Sequence, residues 1–532
     1  MISDSASASN HKSACKTVPK VKSAKPMRSK VGRRPRSLRA DKAAPEKPPP
    51  RLERATFRTS REMDFFSERE LVTQTGHDRW EWPLVVVKEL VDNSLDACEE
   101  AGVAPVIEVC CDAGGISVAD NGPGIPESTL TGQLDFSVRV SSREAYRSPC
   151  RGAQGNALKT LLPMPYILDL QHGRVIVEAH GHRHVVTCGA DPISQRPVIQ
   201  DGKAELPKSK ELQICNGGKK QAFSCGTFFR LEWKPEKDQW PFDPTFSLEF
   251  WVSQLWHLIA GFALFNPHLS ISFDWFGKRN KTWEATDPKW KKWRPSDATS
   301  PHWYAEANLV RLIGAYITHE TENPEINGTG KLVSDFLAEF DGLSGSGKRT
   351  KVLNDAGLKR TRLSELAVDG KLDTERIGSL LAAMQRHTRP LKAQRLGLIG
   401  EAHFKARLLE MGVKADSFRY TQRLAKPEKV KIEQSEPDKK ACFLPWVLES
   451  AFGWLGEESK DQRKIFAGAN WSAAIQNPFR SFGSTGEGLE ATLSDLKAGA
   501  HEPVVFALHL AHPRVEYTDR GKSALIVEGG AT

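Results

Sequence analysis

In the segment KELVDNSLDA, Glu89, Asn93 and Asp96 stand at i, i+4 and i+7. A helix would line them up on one stripe. A carboxylate one turn from a carboxamide suits two tasks. Glu89 can take a proton from a water that attacks a terminal phosphate, and Asn93 can offer its amide oxygen to Mg²⁺, a hard ion that prefers oxygen ligands. An ordinary exposed polar helix face has the same spacing. A second piece, Asp120-Asn121-Gly122-Pro123-Gly124, ends a short apolar run. An Asp there can accept a hydrogen bond from the amino group of adenine, with Gly122 and Gly124 letting the backbone approach the base; a plain Asp-Asn-Gly turn has the same composition. A third piece, Arg151-Gly152-Ala153-Gln154-Gly155-Asn156, precedes an apolar run. A loop feeding a helix start presents free backbone N–H groups to phosphates. Each piece is weak alone. Their order, helix carboxylate then DxGxG then Gly-rich segment, is a specific pattern for a magnesium–nucleotide site.

The elements that would position these residues are legible. Pro83 to Ala101 reads as a helix, with Pro in the first turn and Gly102 as a stop. Its residues Leu84, Val87, Val91, Leu95 and Cys98 recur at helical spacing and should pack inward. Val106–Cys111 and Ile116–Ala119 read as strands, and Ala157–Leu162 as a helix. Leu130 to Cys150 is polar and expected to be irregular.

With 39% apolar and 27% charged residues over 532 positions, the chain has globular composition and the length of about three domains. Residues 1–55 hold 15 Lys and Arg against 4 Asp and Glu, in a chain of net charge +9. The basicity therefore belongs to this tail, rich in Pro, Ala and Ser and expected to be disordered. Such an arm can bind nucleic acid through phosphate charge, or simply be solvated. Nine Cys without a CxxC pair argue for reduced thiols in an intracellular protein, and against a zinc site or a disulfide scaffold. No apolar run reaches membrane-spanning length. Between Trp275 and Tyr304, five Trp alternate with Lys and Arg. That mixture suits either stacking on nucleic acid or a tryptophan-anchored linker with a solvated basic side.

Residues 84–233 resemble a Bergerat-fold (GHKL) ATPase, with FSCGTFFRLEW (Phe223–Trp233) as its closing piece. The resemblance implies ATP and Mg²⁺ as ligands, with Glu89 as base, Asn93 as magnesium ligand, Asp120 as adenine reader and Thr227 beside it. It also implies that Gly122, Gly124, Ser142, Arg143, Gly152, Gln154, Gly155 and Asn156 line the nucleotide pocket and its lid. Within that family the chain is most similar to the B subunit of topoisomerase VI, a type IIB DNA topoisomerase, over about residues 57–527. The carriers are KELVDNSLDACEEAG, an N-terminal strap (SREMDFFSERELVTQTGH), FALFNPHLSISF, Pro301-His302, FLAEFDGLSGSGKRTKVLNDAGL, LKAQRLGLIGE and HLAHPRVEYTDRGKSALIV.

This resemblance implies an α+β chain. Residues 1–55 would be the basic tail, 56–240 the ATPase sandwich with its strap, and 241–330 a completing segment and linker. Residues 331–400 would form a helix-two-turns-helix insert, and 401–532 an α/β transducer like domain 2 of ribosomal S5. Lys522 would be the transducer's switch lysine, reaching the γ-phosphate. The implied role is an ATPase that dimerises on ATP and gates duplex DNA, cleavage being left to an A-like subunit, since six Tyr and no acidic metal cluster do not suggest a cutting centre. The alternative is a GHKL clamp or switch in repair, mobile-element or defence work without topoisomerase activity. The location implied is cytoplasmic, at the nucleoid in a prokaryote, with no membrane contact. The sequence departs from the family at Ala157 (a glycine position), Asn156 (usually apolar) and Arg143 (commonly Lys). The family's long partner-binding C-terminal helix is also not expected in the residues after Lys522.

Overall fold

The computed structural model describes residues 61–526, apart from 137–144, 152–156, 192, 195, 208–211, 217–218, 234–246, 323–329, 426–443, 460, 481–487, 519–521 and 523. The basic tail and six expected pocket residues (Ser142, Arg143, Gly152, Gln154, Gly155 and Asn156) lie outside the described residues.

A 3-10 turn (Arg61–Phe66) leads into α1 (Glu68–Thr75), capped at its start by the Ser67 hydroxyl, which accepts from the Glu70 N–H. The next helix, α2 (Trp82–Glu100), carries Pro in its first turn, as the sequence predicts. It packs on β2 and against α6, burying Leu84, Val87, Val91, Leu95 and Cys98. Burial of each larger aliphatic chain contributes about 1.5–3 kcal/mol.

Strands β1 (Val106–Asp112) and β2 (Gly115–Asp120) follow as an antiparallel pair. Three short helices come next: α3 (Glu127–Leu134), α4 (Ala157–Leu161) and α5 (Met164–Leu168). The expectation that Leu130 begins an irregular stretch is corrected here. Leu130 is buried and Leu134, one turn on, packs partly buried against the same core, so two leucines hold a helix that the polar composition does not advertise. Then come β3 (Arg174–Ala179), β4 (His182–Asp191), β5 (Arg196–Glu205), the hairpin β6 (Leu212–Asn216) and β7 (Lys219–Phe223), and β8 (Thr227–Glu232). After α6 (Leu248–Phe265) the chain adds β9 (Ser270–Trp275) and β10 (Arg279–Trp283). The resulting eight-stranded mixed sheet has the order β10-β9-β1-β2-β8-β3-β4-β5, with only β1 and β9 parallel.

The Trp-rich segment is a linker, not an exposed stacking platform. Trp275, Trp283, Trp293 and Trp303 are all buried. Its basic side is only partly solvated: Lys289 and Lys291 are exposed, but Lys292 is buried and pairs with Glu99 at 2.8 Å. A helical array follows: α7 (Glu306–Glu322), α8 (Val333–Leu337) and α9 (Ser346–Asp355), then a two-residue hairpin β11 (Ala367–Val368) and β12 (Lys371–Leu372), and α10 (Thr374–His387). Phe336, Leu353, Leu380 and Met384 form its interior.

The remaining chain supplies α11 (Glu401–Glu410), β13 (Arg419–Leu424), β14 (Val447–Trp454), β15 (Lys464–Ala469), β16 (Ser472–Ala473), α12 (Leu489–Asp495) and β17 (Val504–Ala511). They form a second mixed sheet, β13-β14-β17-β15-β16. The chain is thus α+β with two mixed sheets. Helix α6 is apolar nearly all round, and such a helix must be covered on every side. It touches β9 of the first sheet and β15 and β16 of the second. Gly468 permits that approach, since a Cβ there would lie 2.6 Å from the Phe265 ring. Among the described residues no helix is long and apolar enough to cross a membrane.

Two buried histidines tie this interface to pH. His403 hydrogen-bonds the Leu264 carbonyl at 3.0 Å, and His509 accepts the Trp471 N–H at 2.9 Å, which requires an unprotonated Nε2. Burial pushes both imidazoles down to about 3. Their folded pKa values lie below the unfolded value, so the unfolded state binds more protons and stability falls as pH drops from about 6.5 toward 3. Together they should remove about 3 kcal/mol per pH unit in that window. Urea midpoints measured from pH 7 to 5 should therefore fall steadily, and a flat profile would contradict this account.

Candidate functional site

The end of β2 is built around Asp120, which is 4% exposed. Its Oδ2 accepts the Ser94 hydroxyl at 2.8 Å, and its Oδ1 accepts the N–H groups of Gly122 at 2.9 Å and Thr227 at 3.3 Å. Asp120 and Thr227 are also register partners between β2 and β8. An ionised carboxylate has about four acceptor positions, so these three bonds leave capacity for one more donor. Burial drives the Asp120 carboxyl up, and the Ser94, Gly122 and Thr227 hydrogen bonds oppose that. Gly226 is required by close approach: at φ +151, a Cβ would lie 2.1 Å from the Asp120 carbonyl oxygen. Gly122 and Gly124 occupy the turn that follows; Gly124 has φ +86 and faces His180. Asn121 is structural, with its amide bridging the Val106 N–H (2.8 Å) and the Ala104 carbonyl (3.0 Å).

Ser94 places Asp120 against α2, the helix of Glu89 and Asn93. From Ser94, Glu89 is five residues back, or about 7.5 Å along the axis. Asn93 is exposed, with its amide open to solvent. Glu89 lies between two ammonium groups, Lys522 at 3.4 Å and Lys88 at 3.6 Å. Burial would raise its carboxyl, but the Lys522 and Lys88 charges outweigh that and hold it well below the usual carboxylate range. Lys522 is 433 positions away in sequence and carries a left-handed backbone (φ +58). The described structure thus places Lys522, expected from sequence to reach the nucleotide, beside Glu89.

Sequence reading groups Asp96 with the Glu89 stripe. The structure instead divides the polar face of α2 in two. Glu89 and Asn93 form one row; Lys88, Asp92, Asp96 and Glu99 form a second, buried row turned toward Arg151, Lys292 and the β15–β16 turn. Arg151, with no exposed side-chain surface, donates to Asp96 and Glu99 at 2.7 Å and to Asn266 at 2.6 Å. Burial would raise Glu99, but Arg151, Lys292 and His268 hold it well below the usual range. Arg151 precedes the Gly-rich segment, and sequence reading treats it only as the residue opening that run. The signal that could have marked it is three acids, Asp92, Asp96 and Glu99, at i, i+4 and i+7 on a helix otherwise buried.

A small cavity of ≈ 30 Å³ lies beside this row, with a mixed polar and apolar lining that includes His77, Lys88, Arg151, Ile475, Tyr517 and Lys522. Ala157, the departure from a family glycine, is the first residue of α4. His302 of the Pro301-His302 pair is buried against Thr388 at 3.0 Å, a packing contact at the foot of the helical array.

Among known proteins, a stretch of 102 residues is 38% identical to the B subunit of type 2 DNA topoisomerase 6 from Thermococcus onnurineus, covering 18% of this chain and 18% of that protein. A stretch of 143 residues is 55% identical to the corresponding B subunit from Archaeoglobus fulgidus, covering 25% of this chain and 23% of that protein. No family model matches the chain. A solved structure described as the N-terminal domain of a DNA repair protein aligns over 83% of this chain and 87% of that one, at 10% identity and a TM-score of 0.35. The chain therefore resembles the B subunit of type 2 DNA topoisomerase 6, over matches that each span a quarter or less of either protein.

Proposed function

We propose that this protein binds and hydrolyses Mg·ATP and couples turnover to movement of the second sheet against the first, as the motor of a complex that gates duplex DNA. The observation that carries the reading is the Lys522–Glu89 contact at 3.4 Å, which joins the chain's last described segment to the helix bearing the proposed base. The donor set fits the ligand. Asp120 has acceptor capacity left for an exocyclic amine, and the Asn93 amide oxygen is free to meet a hard cation.

Bound Mg·ATP would supply the terminal phosphate to be attacked, with the metal offsetting its charge. Glu89 accepts the proton of the attacking water at its carboxylate. Lys522 first partners Glu89 and then turns to phosphate oxygens, so its position reports the state of the site to β17, which precedes it in the chain. Thr227 and Gly226 hold Asp120 in register. In the proposed complex two copies dimerise on ATP and an A-like subunit cuts the DNA. The helical array is the proposed duplex contact, through exposed Lys348, Lys351, Lys359 and Arg360 around α9.

Phosphate release from ATP by the purified protein tests the core of this reading, and absence of turnover with bound nucleotide would end it. Asp120→Asn should weaken ATP binding about tenfold or more, because an amide nitrogen facing the Ser94 hydroxyl or the amide N–H groups loses acceptor capacity. Full retention of affinity would refute the adenine assignment. Relaxation of supercoiled plasmid with an A-like subunit tests the topoisomerase role separately.

A further inference from the structure

The turn between β15 and β16 has an unusual backbone. Asn470 (φ +48) and Trp471 (φ +62) both occupy the left-handed region. The conformation suits a two-residue hairpin, but a bulky side chain there is strained and persists only where its surroundings over-determine it. They do. Asn470 accepts the His512 N–H at 2.8 Å and donates to the His512 carbonyl at 3.0 Å. The Trp471 N–H is taken by His509, and its carbonyl by the Asn266 amide at 2.9 Å. The ring of Trp471 is fully buried beneath the Lys292 ammonium, 4.6 Å from its centroid.

This held turn delivers Ser472 to α2. The Ser472 hydroxyl donates to Asp92 Oδ2 at 2.7 Å and accepts from Lys88 Nζ at 3.0 Å; Lys88 also donates to Asp92 Oδ2 at 2.8 Å. The other Asp92 oxygen is buried without a hydrogen-bond partner, its nearest cation being Arg151 Nε at 3.8 Å. Lys88 is therefore shared: Asp92 and Ser472 hold it on one side, and Glu89 draws it from the other at 3.6 Å. The charged and titratable groups facing Glu89 here are Lys88, Lys522, Asp92 and Tyr517.

We propose that Ser472 is a positioning residue for Glu89: by holding Lys88 on Asp92, it keeps the Lys88 ammonium from closing fully on the Glu89 carboxylate. The proposal rests on the reading of Glu89 as the base for ATP hydrolysis. It gives the second sheet a route to that base independent of Lys522. Without the hydroxyl, Lys88 loses one acceptor and its freed N–H turns to Glu89, making the carboxylate a weaker base once Lys522 has moved to phosphate.

The test compares wild type, Ser472→Ala and Ser472→Thr, with ATP turnover and the affinity for a non-hydrolysable ATP analogue measured on each. The alanine variant should lose about 3- to 10-fold in kcat with affinity within about twofold, and threonine, which keeps the hydroxyl, should restore turnover to within about twofold of wild type. Unchanged kcat in the alanine variant overturns the proposal, as does a joint loss of kcat and affinity that threonine does not rescue. If wild type binds the analogue but does not turn over ATP, the ATPase reading fails on its own. The Lys88 relay is then judged by a thermal double-mutant cycle of Ser472→Ala with Glu89→Gln. Non-additivity of about 2 °C supports the relay, and strict additivity overturns it.

Discussion

Glu89→Gln is expected to lower ATP turnover about 100-fold or more, the range that a positioned general base contributes. Glutamine keeps the size and the hydrogen-bonding oxygen but cannot accept the water's proton. Nucleotide affinity should be unchanged or tighter. In the present arrangement the Glu89 carboxylate occupies Lys522 and partners Lys88, so removing its charge frees one ammonium for phosphate and removes an anion from the site. Single-turnover rates and analogue binding, measured side by side, separate the two effects. Turnover within about threefold of wild type would remove Glu89 from its proposed role, whatever the affinity does. Lys522→Ala gives a useful contrast, because it removes the phosphate partner and leaves the base. Affinity and turnover should both fall there.

Arg151→Ala should have the largest effect on stability. The guanidinium is fully buried and satisfies Asp96, Glu99 and Asn266 at once, with Trp471 O at 3.5 Å. Truncation leaves Asp96 and Glu99 buried with Lys292 and His268 as the remaining partners of Glu99. Breaking such a cluster from one side costs about 3–5 kcal/mol. Arg151→Lys should recover only part of this, because a single ammonium cannot reproduce a fork that reaches several acceptors. A fall in apparent Tm of about 5–10 °C for the alanine variant is the expected result. A change below about 2 °C would show that the surrounding groups rearrange without it. The same residue joins α2, the end of α6 and the β15–β16 turn, so its loss should also raise protease sensitivity in the second sheet.

Helix α2 and two of the eight strands of the first sheet, β1 and β2, are legible in sequence because local rules act there without competition. The α2 pattern carries Pro at its start, a 3.6-residue apolar period and a glycine stop, and the helix forms within a residue of that expectation. The β1–β2 pair and the turn at Asp120 follow from short apolar runs ending in Asp-Asn-Gly. Where local rules are weak, reading fails. Helix α3 is held by only two leucines, Leu130 and Leu134, in a polar stretch. The acids on α2 look alike in sequence, and only the position of Arg151 and Ser472 separates a buried structural row from the row that bears Glu89 and Asn93.

What the sequence alone determines is the identity and order of the chemical groups: a carboxylate and an amide on one helix, an Asp at a strand end, glycines where the backbone must come close. These are properties of short segments, in which spacing along the chain is spacing in space. Only the tertiary structure decides the electrostatics of the base. Glu89 meets Lys522 across 433 positions and Lys88 is held by Ser472 across 384. Such contacts depend on how the second sheet docks on α6 and α2, and no local period encodes that docking. A charge buried at such a contact takes its energy from whichever partner the fold brings to it.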